Sequence, residues 1–154
     1  MKFTIFCDVV VKDEGQATQM AGCGVAIIAE EGARSKKRSY SFGLGGSDTE
    51  LSNIQVVRLA LASVLPPFRK SEVLLHVTDR RAIDLLARSG ADYSITPDKY
   101  QVEIAELRKW YKYYSNITFI LDASADKNII EAHGLATAAC QTQKNTDSNT
   151  IDIS

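Results

Sequence analysis

Two carboxylates stand where apolar runs end. Asp8 follows Phe3-Thr4-Ile5-Phe6-Cys7, and Asp79 follows Val73-Leu74-Leu75-His76-Val77-Thr78. A charge at or near the end of a buried strand is costly unless a cation or a wet cleft receives it, which makes both aspartates candidate metal ligands. The competing reading for each alone is a turn or helix-cap aspartate. The pair gains meaning from the elements that must bring it together.

Residues 2–11 are almost entirely apolar and β-favouring, as expected of a central strand covered on both faces. After a loop over Gly15 to Gly22, Cys23 to Ala29 reads as a second strand and Lys37 to Leu44 as a third, with a turn at Glu30-Glu31-Gly32. Past Gly45-Gly46 the apolar period changes from two to 3.6. Ser47, Asp48 and Thr49 offer an N-cap, and Ile54, Val57, Leu61, Val64 and Leu65 form the stripe of a helix that Pro66-Pro67 stops. A strand over 72–78, a short helix from Arg80 to Arg88 ended by Gly90, and a longer helix opened by Thr96-Pro97-Asp98 and running to Tyr114 follow. Residues 117–122 read as a fifth strand and 128–140 as a last helix. The segment 141–154 is polar and is expected to be disordered. The order β-β-β-α-β-α-α-β-α predicts an α/β fold: a mixed five-stranded sheet, three antiparallel strands then two parallel, flanked by helices.

Composition bounds the rest. With 154 residues, 45% of them hydrophobic, the chain has one domain's worth of core, and its net charge of −1 leaves any polyanion to be held by a local patch. Cys7, Cys23 and Cys140 have no zinc-like spacing and read as small hydrophobes in a reducing, cytoplasmic setting. No apolar run approaches the roughly 18 residues of a membrane span, and the N-terminus lacks the pattern of a signal peptide.

The order of elements and the residues they carry resemble ribonuclease H of the type HI class and its retroviral relatives over residues 1 to about 140. The resemblance rests on Asp8 in the first strand, Gly22-Cys23-Gly24 in the second, Ser39 to Gly43 in the third and Val77-Thr78-Asp79 before a helix. Asn128, Ala132, His133, Leu135 and Ala136 near the C-terminus complete it. It implies four acidic side chains holding two Mg²⁺ or Mn²⁺ ions about 3.5–4 Å apart, which stabilise the attacking and leaving oxygens at a phosphodiester of RNA in an RNA/DNA hybrid. Asp8 and Asp79 fill the first and third positions. The second, normally glutamate, falls on Gln55 or Ile54, with Glu50 one turn earlier; Gln55 offers only a neutral carbonyl oxygen, and Glu50 also suits a helix N-terminus. His133 fills the fourth, where a neutral imidazole is a metal ligand and the other reading is a half-buried helix histidine. Glu131 lies about 200° around the helix from His133 and does not replace it.

Val9 stands where the family has glycine after its first Asp. Arg80 and Arg81 follow Asp79, either as a phosphate clamp or as a partial replacement for a missing cation. Lys36, Lys37 and Arg38, next to Arg34, form one basic cluster. Lys109 and Lys112, with Arg108, interleave with Trp110 and neighbouring tyrosines in another, and basic residues mixed with aromatics suit contact with nucleic acid. A solvated helix face and a charged, aggregation-guarding edge strand are the alternatives. The leading reading is a metal-dependent nuclease with a weakened site. The second is an inactive module of the same fold that binds nucleic acid or a protein partner. A nucleotide-binding α/β enzyme comes third, since no Gly-rich loop follows the first strand.

Overall fold

The 11 residues Lys2–Lys12 form β1, the central strand. It pairs antiparallel with β2 (Met20–Glu31), which turns through Gly32 and Ala33 into β3 (Arg34–Gly45), also antiparallel. Gly32 has φ +59°, the left-handed backbone that a two-residue hairpin turn demands and glycine supplies without steric cost. On its other side β1 pairs parallel with β4 (Glu72–Val77), and β4 parallel with β5 (Ile117–Leu121). The helices are α1 (Thr49–Ser63), α2 (Arg81–Ala87), α3 (Asp98–Tyr111) and α4 (Lys127–Thr142), with a short 3₁₀ turn at Pro66–Phe68. The structure is a computed structural model that describes residues 1–87, 98–121 and 126–154. The expected helix signals at Gly90 and Thr96-Pro97 and the last residue of the expected fifth strand lie outside the described residues.

The sheet runs β5-β4-β1-β2-β3, the mixed five-stranded arrangement expected, and two short strands extend it. β6 (Thr146–Asp147) and β7 (Ile151–Asp152) pair antiparallel with β3. They belong to the polar tail from which disorder was expected. Composition reports only that a segment buries little. It is silent about the open N–H and C=O groups of an edge strand within reach, which pair with any extended chain laid beside them.

Alternation along β1 divides the interior in two. Phe3, Ile5 and Cys7 join Cys23, Val25, Val57, Leu61, Leu75 and Leu107 in the main core, under α1 and α3. Phe6 faces the other side and packs with Ala26 and Ile129 of α4. Asp8 has the parity of Phe6 and so looks toward α4. That second face is built from small residues. A Cβ on Gly22 would lie 2.6 Å from the Ala136 carbonyl oxygen, one on Gly24 would collide with the Ala132 carbonyl oxygen, and one on Gly43 would lie 2.8 Å from the Gln143 backbone. The Gly-x-Gly strand is therefore the bed on which the α4 backbone rests.

Asp48 caps α1, accepting from Leu51 N at 2.8 Å and from the Tyr100 hydroxyl at 2.7 Å, while Arg58 and Glu103 (2.6 Å) tie α1 to α3. All three cysteines are free and buried. Burial pushes the Cys7 thiol well up and the Cys23 thiol up to about 12. Since the thiolate is the reactive form for Cys7 and Cys23, and burial bars a bulky reagent from all three, none is expected to react with an aromatic disulfide reagent at pH 8 until denaturant is added, whereupon all three should react. Rapid modification of the native chain would contradict this packing.

Candidate functional site

Asp8 lies opposite Gly24 in the β1–β2 ladder, and the parallel β1–β4 ladder ends at Phe6 paired with His76. Two residues further along each strand, the Thr78 hydroxyl donates to Asp8 Oδ1 at 2.8 Å. The other carboxylate oxygen, Oδ2, lies 2.7 Å from Nδ1 of His133 on α4. Because a carboxylate only accepts, Nδ1 carries the proton, and in the neutral ring Nε2 is left with its lone pair. The Asp8 side chain is 12% exposed and that of His133 is 60% exposed, so a nearly buried anion orients an imidazole that faces solvent. Gly24 makes the contact possible, since any side chain there would hold α4 away from the strand bearing Asp8.

Asp79 follows Thr78 directly. Its Oδ1 accepts from Arg81 N, the first residue of α2, at 2.8 Å, and the Arg81 guanidinium stands 3.7 Å from the same oxygen. Arg80 turns instead to Asp84 at 3.5 Å. The turn role weighed from sequence is therefore realised at Asp79, just ahead of α2 and one residue from the threonine that touches Asp8. Gln55 is half-buried on α1, with its Oε1 enclosed and accepting no hydrogen bond, and Ile54 is core. Glu50 is exposed in the first turn of α1. Glu131 is committed elsewhere: Lys37 donates to it and to Asn128 Oδ1, and Ser39 Oγ donates to it at 3.1 Å, which pins α4 to β3.

Among the described residues no three His, Cys, Asp or Glu side chains converge as a metal group. Asp8 spends one oxygen on the Thr78 hydroxyl and the other on His133, and Asp79 spends Oδ1 on the Arg81 backbone, so these donors are engaged with the protein itself. They do not supply the four-ligand cage that a pair of ions requires, because the glutamate position offers an enclosed amide oxygen instead.

The basic residues part company. Lys37, 18% exposed, is spent on Glu131. Arg38 forms a two-pronged pair with Asp147 at 2.9 and 2.6 Å, its guanidinium stacked over Tyr40. Lys36 sits on β3 opposite Asp152. On α3, Trp110 is half-buried and carries the Arg69 guanidinium 4.7 Å over its ring. Lys109 and Lys112 are exposed and line a shallow depression with Arg108 and Tyr113. Sequence reasoning did not single out Thr78 as the partner of Asp8 or Arg69 as the partner of Trp110. The first had a signal, a hydroxyl just beyond the end of a strand parallel to β1. The second had none, since the two residues are 41 positions apart on unrelated elements.

Comparison with solved structures places this architecture. LC9-RNase H1, described as a type 1 RNase H with the type 2 active-site motif, superposes with a TM-score of 0.73 at 14% identity, covering 98% of this chain and 77% of its own. The chain has the ribonuclease H fold. LC11-RNase H1, solved in complex with an RNA/DNA hybrid, shares the ribonuclease H fold with a TM-score of 0.64 at 17% identity, over 90% of this chain and 96% of its own. The foamy viral protease–reverse transcriptase, also solved with an RNA/DNA hybrid, matches with a TM-score of 0.68 at 14% identity over 92% of this chain, which spans only 20% of that longer chain. No protein-family profile and no curated protein matches the sequence. In this ribonuclease H fold, no helix among the described residues is long and apolar enough to cross a membrane.

Proposed function

We propose that this chain engages RNA/DNA hybrids or related nucleic acid at the Asp8 end of its sheet and hydrolyses RNA phosphodiesters there, with metal-dependent activity weakened by its incomplete ligand set. The observation that carries the reading is the Thr78–Asp8–His133 cluster: residues far apart in sequence meet around one nearly buried carboxylate, beside the strand end that bears Asp79. Asp8 and Asp79 would hold Mg²⁺ or Mn²⁺ with His133 beside Asp8, and the ion when bound would supply Lewis-acid stabilisation of charge at the phosphoryl oxygens. Thr78 fixes the Asp8 rotamer, and Asp8 orients the His133 ring. Arg80 and Arg81 bring positive charge to within two residues of Asp79, suited to a substrate phosphate. Lys109 and Trp110 on α3, Lys112 just beyond it, and Lys36 and Arg38 on β3 would carry backbone contacts, Lys37 being occupied by Glu131. Two solved neighbours of the same fold hold RNA/DNA hybrids.

A second reading, a module of this fold that binds nucleic acid or a protein partner without cleaving, is favoured by one observation. Arg81 is already seated against Asp79 while the Gln55 oxygen is enclosed, so positive charge from the protein already stands beside one of the two carboxylates. Cleavage of an end-labelled hybrid in Mg²⁺ and in Mn²⁺ separates the two. Slow, metal-dependent cleavage is expected, and Asp79→Asn should reduce it by about a hundredfold or more, as removing a directly engaged polar group at such a site does. Tight hybrid binding with no cleavage in either ion would leave only the module.

A further inference from the structure

The C-terminal segment lies along the edge of β3 and answers its charges. Thr146 and Asp147 pair with Ser41 and Tyr40, and Ile151 and Asp152 with Lys37 and Lys36. Between and beyond these pairs Ser148 N donates to Ser39 O and Ile153 N to Ser35 O, each at 2.9 Å, while Ser39 N and Ser35 N donate to the hydroxyls of Ser148 and Ser154. Residues 146–154 contain two aspartates and no cation; Asp147 bonds the Arg38 guanidinium, and Asp152 lies opposite Lys36 in the ladder. The hydrogen bonds from Arg38 hold the Asp147 carboxyl below the usual carboxylate range. Asp152 is lowered first by its hydrogen bonds from Ser154 and then by the charge of Lys36.

Little else anchors the segment. Every residue from Lys144 to Ser154 is exposed, and its two isoleucines remain 55% and 45% exposed. Two ladders of two residues each, without a buried apolar face, belong to the low-stability end of a fold, and exposed ion pairs contribute little to holding them. The strands beneath, β1 to β3, pair with one another along nearly their whole length and do not need the segment for that pairing.

We propose that residues 146–154 form a displaceable acidic strap, occupying in cis the surface where Lys36 and Arg38 would otherwise contact the phosphate backbone of a nucleic acid. The inference rests on the nucleic-acid reading above. A polyanion carrying a charge about every 1.7 Å of its axis offers more carboxylate-like oxygens to those two cations than the strap's pair of aspartates does, so binding and strap release are coupled. Arg38 is already held stacked over Tyr40, in place to accept a phosphate when Asp147 leaves.

The test uses the full chain with Asp147→Asn and Asp152→Asn together, which keeps the backbone of the strap and removes its charge. Binding of a fluorescent RNA/DNA hybrid is followed across a salt series. The double variant should bind roughly tenfold tighter at low salt, with a slope of log K against log salt steeper by about two, the value for two additional phosphate contacts. Lys36→Gln with Arg38→Gln in that background should cancel both changes. In the wild type, amide hydrogen exchange at Ser148 and Ile153 should quicken when hybrid is added. If wild type and double variant bind with equal affinity and slope, or those two amides become better protected, the strap proposal is overturned while the nucleic-acid reading stands. If neither protein binds hybrid at low salt, both fall together.

Discussion

The Asp8→Asn protein is expected to fold as the wild type does and to lose hybrid cleavage by at least about a hundredfold. Asparagine keeps the shape of the side chain and can still accept the Thr78 hydroxyl at Oδ1, so the β1–β4 strand ends should stay in place. What it removes is the charge. The contact with His133 Nδ1 loses its ionic partner, and the site loses its most enclosed anion, the charge that would favour a divalent cation there. A nearly buried carboxylate is tolerated for function rather than for stability, so the urea midpoint should stay level or rise slightly. Cleavage rate and urea unfolding measured on one preparation check both halves. A variant that cuts hybrid at the wild-type rate would remove Asp8 from the chemistry.

The second large effect is structural. Gly24→Val should destabilise the chain by about 3 kcal/mol, the upper end for overpacking, because the helix backbone facing it cannot yield as a side chain could. The new Cβ would run into the Ala132 carbonyl oxygen and stand 2.8 Å from the Leu135 Cβ, so α4 must lift. Lifting α4 also withdraws His133 from Asp8, and the imidazole signals of His133 should move toward those of a free histidine. Gly134→Ala provides the opposite sign on the same helix. Nothing lies within 4 Å of the added methyl group, and replacing a mid-helix glycine should stabilise by about 0.5–1 kcal/mol. Urea denaturation of the two variants against wild type decides the matter. If Gly24→Val unfolds at the wild-type midpoint, α4 does not rest on β2 as described.

Much of this arrangement was legible in the sequence because it depends on local periodicity. The apolar run before Asp8, the change of period after Gly46 and the prolines at 66 and 67 each dictate an element through its own residues, and the order of those elements specifies a mixed sheet. The types of two residues that meet were legible too, Asp8 and His133, but Asp8 lies within β1 and not at its end, because Val9, Val10 and Val11 carry the strand on along β2.

Which of their atoms would be engaged, and by what, was settled only in three dimensions. Asp79 spends an oxygen on the α2 backbone, Lys37 turns under α4 to Glu131 instead of outward, and Gln55 encloses its oxygen. Each outcome turns on a partner dozens of residues away or on the rotamer of a long side chain, and neither leaves a periodic trace in the chain. The tail makes the same point in the backbone. Its residues by themselves cannot bury enough surface to fold, yet the unpaired edge of β3 supplies the missing hydrogen-bond partners, and a segment with no structure of its own acquires one from its neighbour.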